Sequence, residues 1–265
     1  DKQGRKPLCK LTEKHKKKGQ AILEEMGLPK DAWFVTCHVR EPNFKDREDF
    51  RDSEIKSYFD AFNEITNRGG WVIRIGDKSM KPLPSMHQVV DYAISDFKSD
   101  WMDIFLLGGA RFILGTSSGP TTVAYAFGVP IAMTNNLPTA ATYLSKRDLV
   151  LPRLMQRLED GKMLGLVELM TSPYNLGVND GMYKNIFKVK TIPNTNLEIK
   201  NLTLEMLDRL EGIMKYSQEE EQLQKDFKEK TAAKEVMIGF PNFPIQCRIG
   251  NDFLKSHKQL LINED

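Results

Sequence analysis

Ala110-Arg-Phe-Ile-Leu-Gly-Thr-Ser-Ser-Gly-Pro120-Thr-Thr-Val-Ala-Tyr-Ala-Phe-Gly128-Val-Pro-Ile-Ala-Met-Thr-Asn-Asn136 is the stretch that decides the fold. Residues 111–114 read as a short buried strand closed by a glycine. Residues 115–119 are small and polar, and Pro120 suits the first turn of a helix, where its missing N–H costs nothing. Val123, Ala124, Tyr125 and Phe127 supply about two helical turns, which Gly128 ends. A second strand starts at Val129. A strand, a small-residue loop, a helix start and a strand follow one another. Such a loop offers backbone N–H groups and the positive end of a helix dipole, suited to a phosphate or a developing oxyanion.

Three readings of the loop compete. Gly115-Thr-Ser117-Ser-Gly119 fits the G-x-S-x-G elbow of serine hydrolases, which also joins a strand to a helix. That elbow needs an acid and a histidine downstream, and His257 is the only histidine after Ser117. In the second reading Thr116, Ser117, Ser118 and Gly119 cradle a pyrophosphate, with Thr121 and Thr122 adding hydroxyl contacts at the helix start. The third is a tight turn without a ligand.

Working outward, residues 33–39 form the first clear strand and lead into His38-Val-Arg40-Glu-Pro42. His38 and Arg40 are two apart, so on a strand both point to one face. Residues 44–51 are charged without an apolar period and predict a mobile loop. Asp52 or Ser53 is expected to cap the next helix, whose face is Ile55, Phe59, Phe62 and Ile65. Residues 71–75 are a second strand carrying Arg74 and followed by Gly76-Asp77-Lys78, and residues 88–91 a short one ending at Asp91. Residues 100–109 predict a helix with Trp101, Ile104, Phe105 and Leu107 inward. Residues 149–151 read as a last strand. The alternation predicts an α/β fold: a Rossmann-like, mostly parallel sheet of five or six strands with helices on both faces. Residues 1–30 are a basic tail and a helix over 14–26, residues 31–151 the Rossmann-like domain, and residues 152–265 a helical C-terminal region. Within that region helices are expected over 153–158, 164–170, 202–214, 218–234 and 253–261.

The 265 residues carry a net charge of only +2, which argues against a dedicated nucleic-acid binder. The first twenty residues hold eight Lys/Arg against two acids, so the rest is slightly acidic. A basic tail of this kind is usually solvated, and peripheral contact with an anionic membrane surface is the alternative. No run approaches the roughly 18 apolar residues of a membrane span, and no signal-peptide core is visible. Three widely spaced cysteines predict reduced thiols and a cytoplasmic setting. The sequence has no G-x-G-x-x-G fingerprint and no G-x-x-x-x-G-K-[ST] loop, which disfavours dinucleotides and P-loop chemistry. Scattered histidines and cysteines give no metal-ligand spacing, so no metal or other cofactor is expected.

His38-Val-Arg40, Gly69-Gly-Trp-Val-Ile-Arg74-Ile-Gly-Asp77, Asp91-Tyr92, Asp100-Trp-Met-Asp103 and Gly115-Thr-Ser-Ser-Gly-Pro-Thr, in this order, resemble a family of bacterial glycosyltransferases linked to surface-polysaccharide loci. The loop with its Ala-rich helix and Gly-Val-Pro also resembles the donor loop of heptosyltransferase-like GT-B enzymes. His-x-Arg at the end of a first strand resembles the arginine motif of GDP-fucose-dependent fucosyltransferases. Their second arginine is Glu41 here, a departure that points away from a GDP-fucose donor. The resemblance covers nearly the whole chain from about residue 14. It implies the donor-binding, C-terminal half of a GT-B enzyme that transfers a sugar from a nucleotide sugar to a sugar or glycan acceptor in polysaccharide or glycoconjugate synthesis.

The residues suit that chemistry independently. GT-A enzymes stabilise the leaving diphosphate with a metal held by Asp-x-Asp, which is absent here; a metal-free site must use arginine or lysine and backbone N–H groups. Arg40 is the expected diphosphate ligand and His38 its companion at the reacting end. Arg74, Asp77 and Asp91 close neighbouring strands at the same edge and are expected to reach the donor, Asp91 with Tyr92 at the ribose or base. A serine hydrolase using Ser117 and His257, and a non-catalytic nucleotide-sugar-binding subunit, are the alternatives. Roughly thirty residues precede the first strand, fewer than the roughly 50 a domain needs. The acceptor half is therefore expected to be missing here, supplied by another chain, or replaced by the region after Pro152.

Overall fold

The computed structural model describes residues 7–42, 51–137, 145–171, 173–176, 181–232 and 246–262. The expected mobile loop lies almost wholly outside these residues. Seven strands form one parallel sheet: β1 (Phe34–His38), β2 (Trp71–Arg74), β3 (Val89–Val90), β4 (Ile113–Thr116), β5 (Ile131–Asn136), β6 (Leu149–Pro152) and, after two strands that form a separate small sheet, β9 (Arg248–Ile249). Their order is β3-β2-β1-β4-β5-β6-β9, and every pairing is parallel. Parallel strands with both faces covered should be apolar throughout, and Val35, Cys37, Val72, Ile113, Leu114, Ala132, Leu149 and Val150 are all buried.

Helices cover both faces. On one side α1 (Glu13–Glu25) packs on α3 (Asp100–Gly109), which packs on α4 (Gly119–Phe127). On the other, α2 (Phe59–Asn67) packs on α6 (Asn196–Glu211), and α6 on α8 (Asn251–Ser256). Each start has a local cause. Thr12 accepts from the His15 N–H (3.2 Å), Ser99 from Met102 (3.3 Å) and Thr195 from Glu198 (3.2 Å), each satisfying one free donor of a first turn. Gly128 and Gly212, at φ of 70° and 74°, end α4 and α6. Ahead of α2 the chain makes a 3-10 turn at Ile55–Tyr58 whose N-cap is Glu54, so neither Asp52 nor Ser53 caps it. The Ser53 N–H donates instead to the Arg40 carbonyl (2.7 Å). On α3, Met102, Phe105, Leu106 and Leu107 are buried, whereas Ile104 faces outward.

The chain after Pro152 differs most from its sequence reading. Residues expected as a helix form β7 (Leu154–Arg157), antiparallel to β8 (Val189–Ile192). Arg248–Ile249 adds the sheet's seventh strand beside β6. A pairing across more than thirty residues overrode local preference in the first case, and two residues are too few to show a period in the second. Helices α5 (Leu166–Leu169), α7 (Gln218–Ala232) and α9 (Gln259–Ile262) complete the region. Polar contacts tie it to the sheet. Asn194 and Asn135 exchange backbone-to-side-chain bonds (2.5 and 2.7 Å) at the end of β5, and the Gln224 amide bonds the Ile249 carbonyl (2.5 Å). Glu205 of α6 accepts from the Asn251 N–H and the Tyr216 hydroxyl, both at 2.7 Å.

Candidate functional site

In this strand order the chain leaves β1 toward β2 and leaves β4 toward β5. The loops beyond the two carboxyl ends therefore diverge and open a crevice, the usual ligand position in a doubly wound sheet. His38 lies opposite Gly115 in the β1–β4 register. Gly115 has φ +154°, and a Cβ there would run into the His38 carbonyl oxygen, so only glycine lets the two strand ends close up.

Two side-chain bonds join the loops. The Arg40 N–H donates to Thr116 Oγ1 at 3.0 Å, and His38 Nδ1 shares a 3.0 Å bond with Ser118 Oγ. The Thr121 hydroxyl donates to the Ser118 carbonyl (2.6 Å) and accepts from the Ser118 N–H (3.3 Å), which fixes the turn into α4. Ser117 is half-buried, while Gly119 and Thr122 are exposed at the helix start. At the start of α4 Pro120 has no N–H and that of Ser118 is taken by the Thr121 hydroxyl, while the Gly119 N–H has no carbonyl partner within the helix.

Beside the turn lies a cavity of about 410 Å³. The exit of β1 lines it with His38, Arg40 and Glu41, and the exit of β2 with Ile75, Gly76, Asp77 and Met80. Lys98 contributes from just before α3, Asp100, Asp103 and Leu107 from α3 itself, and Pro120 from α4. A further hollow of about 510 Å³ shares Glu41 and Met80 with it and runs on to Ile55, Lys56 and Lys81. Lys98 Nζ pairs with Asp103 at 2.9 and 3.2 Å. Burial, with the Arg40 charge second, pushes the His38 imidazole down to about 4, so it is neutral near pH 7.

Of the residues singled out from sequence, His38, Arg40, Thr116, Ser118 and Thr121 are linked at the crevice. Asp77 lines the cavity while its carboxylate also accepts from the Ser79 N–H (2.9 Å). Arg74 and Asp91 sit in a separate cluster. Arg74, 1% exposed, pairs with Glu41 and with Asp91 Oδ1 (2.8 Å), and Asp91 Oδ2 accepts from the Leu83 N–H (2.8 Å). Tyr92 is fully buried and exchanges hydrogen bonds with the Ser99 backbone, which leaves no ring face for a base. Lys98, Asp100, Asp103 and Met80 were given no role from sequence. The rule that flagged His38 and Arg40, that residues just beyond a parallel strand line the site, reaches Asp100 and Asp103 as well, since a helix over 100–109 was already expected after the strand over 88–91.

His257 does not serve Ser117. Its ring stacks on Phe253 (4.4 Å between centroids) and its Nε2 lies 3.5 Å from Glu198. Among the described residues no three His, Cys, Asp or Glu side chains are grouped to hold a metal ion, and no helix is long and apolar enough to cross a membrane.

No protein-family model and no curated protein matches the chain. Among solved structures it is similar to the glycosyl transferase family 9 protein from Veillonella parvula DSM 2008. That likeness has a TM-score of 0.34 and 12% identity, and covers 47% of this chain and 35% of that one. A likeness of this extent carries no argument about activity, which has to be read from the edge of the sheet itself.

Proposed function

We propose that this chain is the donor-binding part of a glycosyltransferase and holds a nucleotide-diphosphate sugar at the β1–β4 switch point. The carrying observation is the double tie between Arg40 and Thr116 and between His38 and Ser118. It sets an arginine beside a small-residue turn at the start of a nine-residue helix, with a cavity adjoining. When an acceptor hydroxyl attacks the anomeric carbon, the bond to the diphosphate oxygen breaks and negative charge grows on the leaving phosphate. In this reading the Arg40 guanidinium and the amides of the turn stabilise that charge, with no metal required. Neutral His38 holds Ser118 and adds no charge. The acceptor, a sugar or glycan, would be presented by a further domain or chain. A thermal-shift screen of UDP, GDP, ADP and CMP tests the reading, because ligand binding raises apparent stability. At least one nucleotide should raise Tm in wild type and fail to in Arg40→Ala; no response to any of them at millimolar concentration would overturn it.

The His38–Ser118 bond also favours a second reading, a serine hydrolase with Ser118 as nucleophile. A general base works best near the operating pH, and an imidazole held near 4 is far from it. Covalent labelling of Ser118 by a fluorophosphonate would favour the hydrolase.

A further inference from the structure

The two halves of the crevice differ in charge. The α4 turn offers N–H groups, a positive helix end and Arg40, which together suit phosphate. Among the described residues, the adjoining cavity is lined by four acidic residues, Glu41, Asp77, Asp100 and Asp103, and two basic ones, Arg40 and Lys98. Lys98 is already paired with Asp103, and Glu41 with the buried Arg74. A second anion here would meet the like charges of Asp77 and Asp100, whose repulsion is moderated by solvent because both residues are exposed. Ile75, Met80, Leu107 and Pro120 give the same cavity apolar wall, against which the C–H face of a ring could lie. Carboxylates beside an ammonium group provide the acceptors and donors that neighbouring hydroxyls require. Its volume of about 410 Å³ lies within the usual range for small-molecule sites, about 300–1,000 Å³.

We infer that this cavity binds a polyhydroxylated sugar ring that is uncharged or amine-bearing, and discriminates against carboxylate-bearing sugars, while phosphate stays at the α4 turn. The inference rests on the nucleotide-sugar reading for the placement of phosphate; the cavity's preference follows from its own lining. Asp100, at the first position of α3, is the specificity-determining residue to test.

The test uses the full chain and calorimetry at 0.1 M salt with the nucleotide that binds, linked to glucose, glucosamine or glucuronate. The glucuronate derivative should bind about threefold or more weakly than the glucose one, with the glucosamine derivative equal to or tighter than glucose. Asp100→Asn should narrow the gap by improving glucuronate binding. A parallel arm titrates free glucose, glucosamine and glucuronate into nucleotide-saturated protein by NMR. Discrimination among the linked sugars assigns the cavity to the donor, and discrimination among the free sugars alone assigns it to the acceptor. Glucuronate binding as well as glucose in both arms overturns the inference. If no nucleotide binds, the functional reading fails, and the free-sugar arm, run without nucleotide, still decides the cavity's preference.

Discussion

Arg40 and Arg74 stand at the carboxyl ends of adjacent parallel strands, yet their surroundings differ completely. Arg74 is sealed in, with a carboxylate on each side, and Asp91 clamps the loop before β3 through the Leu83 N–H. Arg40 is half-buried, its backbone is tied to β4, and its side chain lines a cavity. A sealed arginine between two carboxylates stabilises the fold, and one whose side chain lines a cavity is placed to meet a ligand. Residue type and strand position alone do not separate the two; exposure to the cavity does.

The largest effect expected from that contrast is on stability. Arg74→Ala would leave Glu41 and Asp91 facing each other without their cation, and breaking such a buried cluster typically costs about 3–5 kcal/mol. Urea unfolding should show that loss. A loss below about 1 kcal/mol would mean that the cluster is well solvated and that the two arginines differ less than their geometry implies.

His38, which feels the charge of both arginines, should make stability depend on pH. Burial and then Arg40 hold its folded pKa near 4, below the ordinary 6.5. The unfolded chain therefore binds the extra proton first as the solution is acidified. The neutral imidazole's contribution is complete above about pH 6.5 and is lost as pH falls toward 4, about 3 kcal/mol over that window. Unfolding free energies measured from pH 4.5 to 7.5 should rise with pH, and His38→Gln should flatten the rise. Burial also pushes His257 down, so part of the slope should survive. An unchanged slope in His38→Gln would place His38 in a wetter, less cationic setting.

Much of the fold was legible in the sequence because its signals are local. β1, β2, β4 and β5 are buried runs, β2 and β5 set off by glycine or proline, and Gly119-Pro120 announces α4. β7 and β9 were not legible, since their partners lie far along the chain and nothing in Arg248-Ile249 marks a strand. The site divides the same way. His38, Arg40 and the Thr116–Ser118 turn follow from strand period and loop chemistry, which act within a few residues. That Arg74 belongs with Asp91, seventeen positions away, depends on the β2–β3 pairing, and that Lys98 and Asp103 meet His38 depends on how α3 docks.

On Arg40 the expected effect moves from stability to binding. Arg40→Ala should weaken the nucleotide by about 2 kcal/mol, the scale of one charged hydrogen-bonding contact, while unfolding changes little. Arg40→Lys should keep the charge, lose the bidentate fork and fall between the two. Nucleotide affinity unchanged in both variants, by calorimetry, would make Arg40 as structural as Arg74. A transfer assay, once donor and acceptor are known, should proceed undiminished in EDTA.

The smallest change tests the turn itself. Gly115 and Gly119 bracket Thr116, Ser117 and Ser118, but only Gly115 is required by the fold: its φ is positive and a Cβ would strike the His38 carbonyl. At Gly119 an added Cβ would meet nothing within 4 Å, and no positive φ stands in the way. Gly119→Ala should leave stability unchanged or raise it by about 0.5 kcal/mol, since alanine loses less backbone freedom on folding. The same methyl group would stand where a phosphate must approach the first amides of α4, so nucleotide affinity should fall severalfold, and further in Gly119→Val. Gly115→Ala should instead lower stability and affinity together, because it forces apart the strand ends that carry both halves of the site. Should Gly119→Val keep full nucleotide affinity in a stable protein, phosphate does not approach the backbone of this turn. The anion facing Arg40 would then have to enter from the cavity side, where four carboxylates oppose it.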